Sequence, residues 1–102
     1  MSQYLRLYQS AVDPADVKEM QRLFLDDVAP AFSRATGCLG IELTVAVEPN
    51  AGGLVEGAAI SRWSSLEAMA TAMESHDVQE ALVRVRQLLR QEPVTKVLQV
   101  LQ

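Results

Sequence analysis

The sequence has few of the side chains that most often carry chemistry or covalent cross-links. It contains one cysteine, one histidine and one tryptophan, and aromatic residues make up 5% of the chain. A single cysteine excludes an intrachain disulfide framework. One cysteine and one histidine together are too few ligands for the usual Cys/His zinc sites. Few groups are therefore left that can exchange protons near neutral pH, and no metal site is predicted.

Long apolar runs and an excess of positive charge are also missing. No stretch approaches the ~18 apolar residues that span a bilayer, and the first residues lack the apolar region of a signal peptide. Nine basic and thirteen acidic residues give a net charge of -4. This argues against nucleic acid as a partner, because that binding depends on neutralising phosphates. We therefore expect a cytoplasmic protein that binds neither membranes nor nucleic acid.

The 102 residues that are present predict a single domain, 1–102, with an aliphatic core, since 49% of them are hydrophobic. Alternating apolar residues indicate strands at 4–11, 39–48, 54–63 and 95–101. Helical spacing indicates a first helix that Asp13 caps, which Pro30 either kinks or divides. A second helical region begins at a Ser64–Glu67 capping box, and a second box at 75–80 places Asp77 as its cap.

The element order predicts the architecture. The order β-α-β-β-α-β is typical of a ferredoxin-like α+β fold, a four-stranded antiparallel sheet with two helices on one face. The alternate residues of 41–47 are aliphatic, and the alternate residues of 55–63 are uncharged. Two helices can cover only one face of a sheet, so we expect one of these sets to be exposed in a monomer and buried in a homodimer through the sheet face.

Two segments carry a family resemblance. Residues 37–43, GCLGIEL, and residues 62–69, RWSSLEAM, resemble the start of strand two and the strand-three to helix-two junction of the antibiotic biosynthesis monooxygenase (ABM) family. Ser75, twelve residues after Trp63, matches a serine of that family. The resemblance implies a dimeric α+β barrel. It also implies a cofactor-independent monooxygenase, which binds a phenol or hydroquinone in a dry pocket and lets the substrate carbanion reduce O2 directly.

The chain also departs from the family pattern. Many members carry a histidine nine residues after the tryptophan, where this chain has Ala72. Haem-degrading members use an asparagine on the first strand, and 4–11 contains none. Both departures argue against haem degradation. Two other functions stay open: a non-catalytic dimeric module that binds a small hydrophobic ligand or serves in a stress response, and an isomerase or lyase on the same fold.

The candidate site residues follow from their chemistry. His76 is the candidate catalytic base, since its unperturbed pKa is near neutrality, and Arg6 is the candidate catalytic residue that holds a substrate anion. The alternative for His76 is an exposed residue at a helix break, and the alternative for the Arg6 strand face is the dimer interface. The candidate substrate-binding residues are small, aromatic or flexible side chains: Trp63, Tyr4, Tyr8, Gly57, Ala59, Ser61 and Met73. The alternative for Trp63 is a core anchor.

Overall fold

A single antiparallel sheet organises the chain in the computed structural model, which describes residues 2–102. The strands are β1 (Gln3–Val12), β2 (Cys38–Val45), β3 (Val55–Trp63) and β4 (Val94–Val100). Their spatial order is β2-β3-β1-β4, which is the ferredoxin-like order, so the predicted α+β fold is confirmed. β1 lies in the centre of the sheet between β3 and β4, while β2 and β4 form its edges.

The helical segments all lie between strands. The first region consists of a 3₁₀ turn (Pro14–Asp16), α1 (Val17–Leu23), a π turn (Phe24–Val28) and α2 (Ala29–Ser33). The second region consists of α3 (Leu66–Met73) and α4 (His76–Arg86). Within residues 2–102, no helix is both long and apolar enough to cross a membrane.

Pro30 accounts for the π turn in the first helical region. Proline has no N–H and its ring crowds the carbonyl four residues earlier, so an ordinary α-helical hydrogen bond cannot form there. The N–H of Ala29 donates to the carbonyl of Phe24, five residues back, and the backbone stays helical through the turn. The predicted interruption at Pro30 is therefore a widened turn that leads into α2.

Two helix caps differ from the sequence prediction. Ser65, not Ser64, caps α3, because its side chain accepts a hydrogen bond from the N–H of Ala68 at 3.0 Å. Ser75, not Asp77, caps α4 through the N–H of Val78 at 3.2 Å. In both cases the cap is the residue with extended backbone angles, whereas Asp77 already lies in the first turn of the helix.

The register of β2 with β3 corrects the prediction about the two sheet faces. Ile41 pairs with Ser61 and Leu43 pairs with Ala59, so both uncharged sets point to the same face. That face lies under the helices, since Trp63 and Ser61 are buried there. A sequence shows the alternation within one strand but not how two strands align, which is why the relation between the sets was predicted wrongly.

The face of the sheet away from the helices carries other apolar residues. Leu5 pairs with Leu98 on β4, and Leu7 pairs with Ile60 on β3. Leu98 remains 45% exposed. An uncovered apolar face therefore exists in the single chain, but different residues form it.

The core lies between the sheet and the helices. Its largest fully buried side chains include Trp63, with 0% exposure, and Phe32. Their ring centroids are 6.0 Å apart in a tilted arrangement. The pair joins the end of β3 to α2.

Candidate functional site

The central strand β1 directs one row of polar and aromatic side chains toward the helices. Tyr4 pairs with the buried Trp63, and Arg6 pairs with the buried Ser61, which places both on the helix-facing side. Tyr8 follows on the same side, opposite Ala59. The sequence left open which side this row takes, and the fold decides it in favour of the space beneath the helices.

Arg6 is a half-buried cation on that face. Its guanidinium carbon lies 5.4 Å from the centroid of the Tyr8 ring, a cation–π distance. Burial lowers the pKa of the Arg6 guanidinium below its ordinary value. Within residues 2–102, neither a salt bridge nor a side-chain hydrogen bond reaches the guanidinium, although five of the other six arginines form salt bridges. Arg6 is therefore able to bind an anion from outside the chain.

The helices do not extend over β4. Val97, which pairs with Arg6, is 49% exposed, and its helix-side neighbours Thr95 and Gln99 are exposed as well. We name this open area the β4 shelf and define it by six side chains: Tyr4, Arg6, Tyr8, Thr95, Val97 and Gln99. The shelf gives a ligand access to the Arg6 guanidinium from solvent.

An apolar cavity lies beside the shelf, beneath the helices. Its volume is about 60 Å³, and it is partly open to the surface. The principal lining residues come from β1, β2, β3, the first helical region and α4: Tyr8, Met20, Phe24, Val28, Leu43, Val55, Gly57, Ala59, Leu82 and Val85. Tyr8 belongs both to this lining and to the β4 shelf, so the two spaces meet at its side chain.

Of the nine candidate residues, Tyr8, Gly57 and Ala59 line the cavity. The small size of Gly57 has a separate cause, because a Cβ there would lie 2.6 Å from the carbonyl oxygen of Thr44. The close approach of β2 thus requires glycine at this position.

Trp63 and Ser61 are held in the core and do not line the cavity. The indole Nε1 of Trp63 donates to the hydroxyl of Ser61 at 2.8 Å, and no surface of Trp63 is exposed. The contacts are those of the core anchor that the sequence left as the alternative. Ala72 is also buried in this core.

His76 and Met73 lie elsewhere. His76 is the first residue of α4, its side chain is 84% exposed, and its Nε2 lies 3.3 Å from a carboxylate oxygen of Glu80. Met73 is half-buried at the end of α3 and packs against the core. Neither residue lines the cavity, so the role of His76 as a base stays a prediction.

The sequence interpretation missed most of the helical wall of the cavity. Met20, Phe24 and Val28 form part of that wall from α1 and the π turn, and Leu82 and Val85 form part of it from α4. Their helical spacing was visible, but periodicity identifies only the buried face of a helix. It does not show where two packed layers leave a space.

Across residues 2–102, no group of three His, Cys, Asp or Glu residues lies close enough together to hold a metal ion.

Comparison with known proteins identifies the fold. No family model matches the sequence, and no curated protein matches it. Two similar solved structures, named putative antibiotic biosynthesis monooxygenase, come from Caulobacter crescentus CB15 and Bordetella bronchiseptica. The first is 20% identical with a TM-score of 0.79 and covers 99% of this chain and 92% of that one. The second is 18% identical with a TM-score of 0.78 and covers 100% of both chains.

A third similar structure has a more specific name. It is a mutant form of SnoaB, a cofactor-independent oxygenase from Streptomyces nogalater. It is 17% identical to this chain, with a TM-score of 0.76, and the match covers 98% of this chain and 94% of that one. At such identities the likeness establishes that this chain has the fold of the ABM proteins, as its two motifs indicated.

Proposed function

We propose that this protein belongs to the ABM family and is a cofactor-independent monooxygenase that acts on a small phenol or hydroquinone. The observation that carries the proposal is Arg6, a half-buried cation without a carboxylate partner within residues 2–102, beside Tyr8. A guanidinium in this setting favours a bound oxyanion, because burial strengthens the attraction between opposite charges. The fold shared with a named cofactor-independent oxygenase supports the same reaction class.

In this reaction the main role of the protein is to bind the ionised form of the phenol substrate. Arg6 lowers the cost of ionising the phenol hydroxyl, and the open β4 shelf lets water take the released proton. The electron-rich ring carbon then reduces O2 and forms a carbon–oxygen bond to it. Loss of water leaves a quinone, so one oxygen atom stays in the product as a carbonyl and the other leaves as water. A phenol and O2 thus give a quinone and water with no external reductant.

Turnover of 1-naphthol tests the role of Arg6. This phenol is converted to 1,4-naphthoquinone and water when one O2 is consumed, and both quinone absorbance and oxygen uptake report it. We expect Arg6→Gln to lower kcat/KM by roughly 10- to 100-fold, since a hydrogen bond to a charged group contributes about 1.5–3 kcal/mol. Arg6→Lys should retain part of the activity, because it keeps the charge and loses the planar fork.

Arg22→Gln is the matched control. Arg22 is exposed on α1, where its guanidinium donates to the carboxylate of Glu19, and its loss should leave turnover unchanged. Equal turnover in Arg6→Gln and the unmodified protein would contradict the proposed role of Arg6. His76→Ala, measured in the same assay, tests the sequence hypothesis that His76 is the base: a loss of turnover supports it, and full turnover removes it.

One observation favours a second function, a ligand-binding module without catalysis. Neither the β4 shelf, as defined above, nor the lining of the cavity contains a His, Cys, Asp, Glu or Lys side chain, which leaves little for acid–base work. In that case 1-naphthol would raise the melting temperature of the protein without any oxygen uptake. An isomerase or lyase would instead form its product under anaerobic conditions, which excludes oxygenation.

We further propose that the protein is a homodimer that pairs the helix-free faces of two sheets. This face carries Leu98, which is 45% exposed, beside the half-buried Leu5 and Leu7, and a second copy of the sheet would cover this apolar patch. It has Glu42 on one edge strand and Lys96 on the other. A face with opposite charges at its two edges suits two-fold pairing with a second copy of itself.

Light scattering after size-exclusion chromatography tests the dimer. At micromolar concentration we expect twice the mass of the chain, and we expect Leu98→Glu to give the monomer because it buries an unpaired charge in the interface. Leu101→Glu is the matched control, since Leu101 lies beyond the end of β4 and is exposed. A monomeric mass for the unmodified protein would overturn the proposal.

A further inference from the structure

The size of the apolar cavity limits what it can hold. A cavity needs roughly 10–15 Å³ to admit one water molecule, and an apolar cavity that binds benzene measures roughly 150 Å³. This cavity, at about 60 Å³, lies between those values. The enclosed space is large enough for a diatomic molecule but does not hold the whole ring of a phenol, which would extend through the opening.

The lining of the cavity makes it a poor site for water. A buried water needs two to four polar partners. Two of the lining hydroxyls already donate their protons elsewhere: Ser10 Oγ to the carbonyl of Gln91 at 2.7 Å, and Thr44 Oγ1 to the carbonyl of Ala58 at 3.0 Å. Tyr8 is the remaining hydroxyl, and the other lining side chains are apolar. The cavity therefore suits a small apolar molecule.

We propose that this cavity binds dioxygen, the co-substrate of the reaction proposed above, and that the aromatic substrate lies on the adjoining β4 shelf. The inference rests on the proposed function for the identity of the reaction. Tyr8 lines the cavity and also borders the shelf, next to the Arg6 guanidinium at 5.4 Å from its ring. O2 that leaves the cavity past Tyr8 reaches a substrate anion held by Arg6. The two reactants then have separate sites on one face of the sheet.

Dissolved oxygen is its own probe in the test. O2 is paramagnetic, so it accelerates the relaxation of methyl groups that it contacts, and methyl-labelled protein under O2 pressure reports its position by NMR. We expect the methyl groups of Met20, Val28 and Val85, which line the cavity, to gain several-fold more relaxation than those of Val47. Val47 is 100% exposed and reports collisions with O2 in bulk water. Gains at the cavity methyls no larger than at Val47 would overturn the proposal.

Substitutions that change the volume of the cavity test whether the excess relaxation by O2 arises inside it. Ala59→Leu places a larger side chain inside it and should remove the excess relaxation at Met20, Val28 and Val85. The matched control is Ala46→Leu, which adds the same side chain at an exposed position outside the lining and should leave the excess intact. Should Ala59→Leu fail to fold, Leu82→Ala enlarges the cavity instead and should increase the excess at the same methyl groups. Persistence of the excess in a folded Ala59→Leu protein, or no increase in Leu82→Ala, contradicts the proposal.

The failure of this inference can be told apart from the failure of the proposed function. Relaxation by O2 needs no turnover and no aromatic substrate. Excess relaxation without oxidation of 1-naphthol would support the oxygen-binding cavity and contradict the proposed oxygenase activity. Oxidation of 1-naphthol without excess relaxation would support the proposed oxygenase activity and contradict the proposal that the cavity binds O2.

Discussion

Trp63→Ala is expected to lower the free energy of unfolding by about 3–5 kcal/mol, the range for truncating a large aromatic side chain in a core. Trp63 has no exposed surface, packs against Phe32 and donates its Nε1–H to the hydroxyl of Ser61. The substitution removes all three and leaves a cavity between β3 and α2 that the surrounding structure fills only in part. It also leaves the buried Ser61 hydroxyl without its donor.

Urea unfolding followed by far-UV circular dichroism measures this effect, since Trp63 is the only tryptophan and its fluorescence disappears with the substitution. Trp63→Phe should have a smaller effect, because it retains most of the apolar volume and loses only the hydrogen bond and the second ring. Val47→Ala is the exposed control and should change the free energy of unfolding by no more than about 0.5 kcal/mol. A loss below about 1 kcal/mol for Trp63→Ala would show that Trp63 is not the core anchor described above.

Gly37→Ala is expected to be the second costly substitution, at about 2–5 kcal/mol. The backbone of Gly37 has φ +84°, a left-handed conformation that costs other residues roughly 1–2 kcal/mol. A Cβ at this position would also lie 2.5 Å from the Cβ of Ala68 in α3, and relieving such an overlap costs about 1–3 kcal/mol more. Gly37 is therefore the point where the end of the first helical region approaches α3.

Gly53→Ala separates the two contributions. Gly53 has φ +80°, nearly the same backbone conformation, but a Cβ there would meet no atom within 4 Å. Its substitution should cost only the conformational part, about 1–2 kcal/mol, by the same urea measurement. Equal losses for Gly37→Ala and Gly53→Ala would mean that the contact with Ala68 relaxes without cost.

The central position of β1 explains why the candidate site is built there. A strand with neighbours on both sides has its backbone hydrogen bonds paired, so the directions of its side chains are held by β3 and β4. Arg6 and Tyr8 are thereby kept on one face of the sheet, two residues apart. The helical layer covers Tyr8 but does not reach Val97 on β4. The apolar cavity therefore lies under the helices, and the shelf lies beyond their edge.

Local patterns predicted most of the secondary structure. The alternation within 39–48 identified β2, although the strand ends at Val45, and Asp13 was identified as the cap of the first helical region. Such signals are local, since a strand alternates with a period of two and a cap needs only its own side chain and nearby amides. The choice of Ser64 over Ser65 failed because neighbouring serines offer the same hydroxyl, and only the backbone angles tell them apart.

The site could be predicted only in part. Arg6 and Tyr8 were identified from their residue types and shared strand face, and Ala59 from its small size. Trp63 was included as the aromatic residue of the ABM-like junction and Ser61 as a small residue, but their side chains bond to each other in the core. Whether a side chain fills a space or borders it depends on the elements that pack opposite, which a single strand does not reveal.

The sequence alone determined three features: the scarcity of cysteine, histidine and aromatic residues, the order of the elements, and the two ABM-like motifs. These features suffice for the fold class, because alternation and capping act over a few residues and the element order restricts the topology. Tertiary structure alone decided that Tyr4, Arg6 and Tyr8 face the helices, that Val97 stays uncovered and that a cavity of about 60 Å³ lies beside them. These facts arise from the register between strands and from the reach of the helical layer. Both are set by packing between residues far apart in the chain, and no local pattern encodes them.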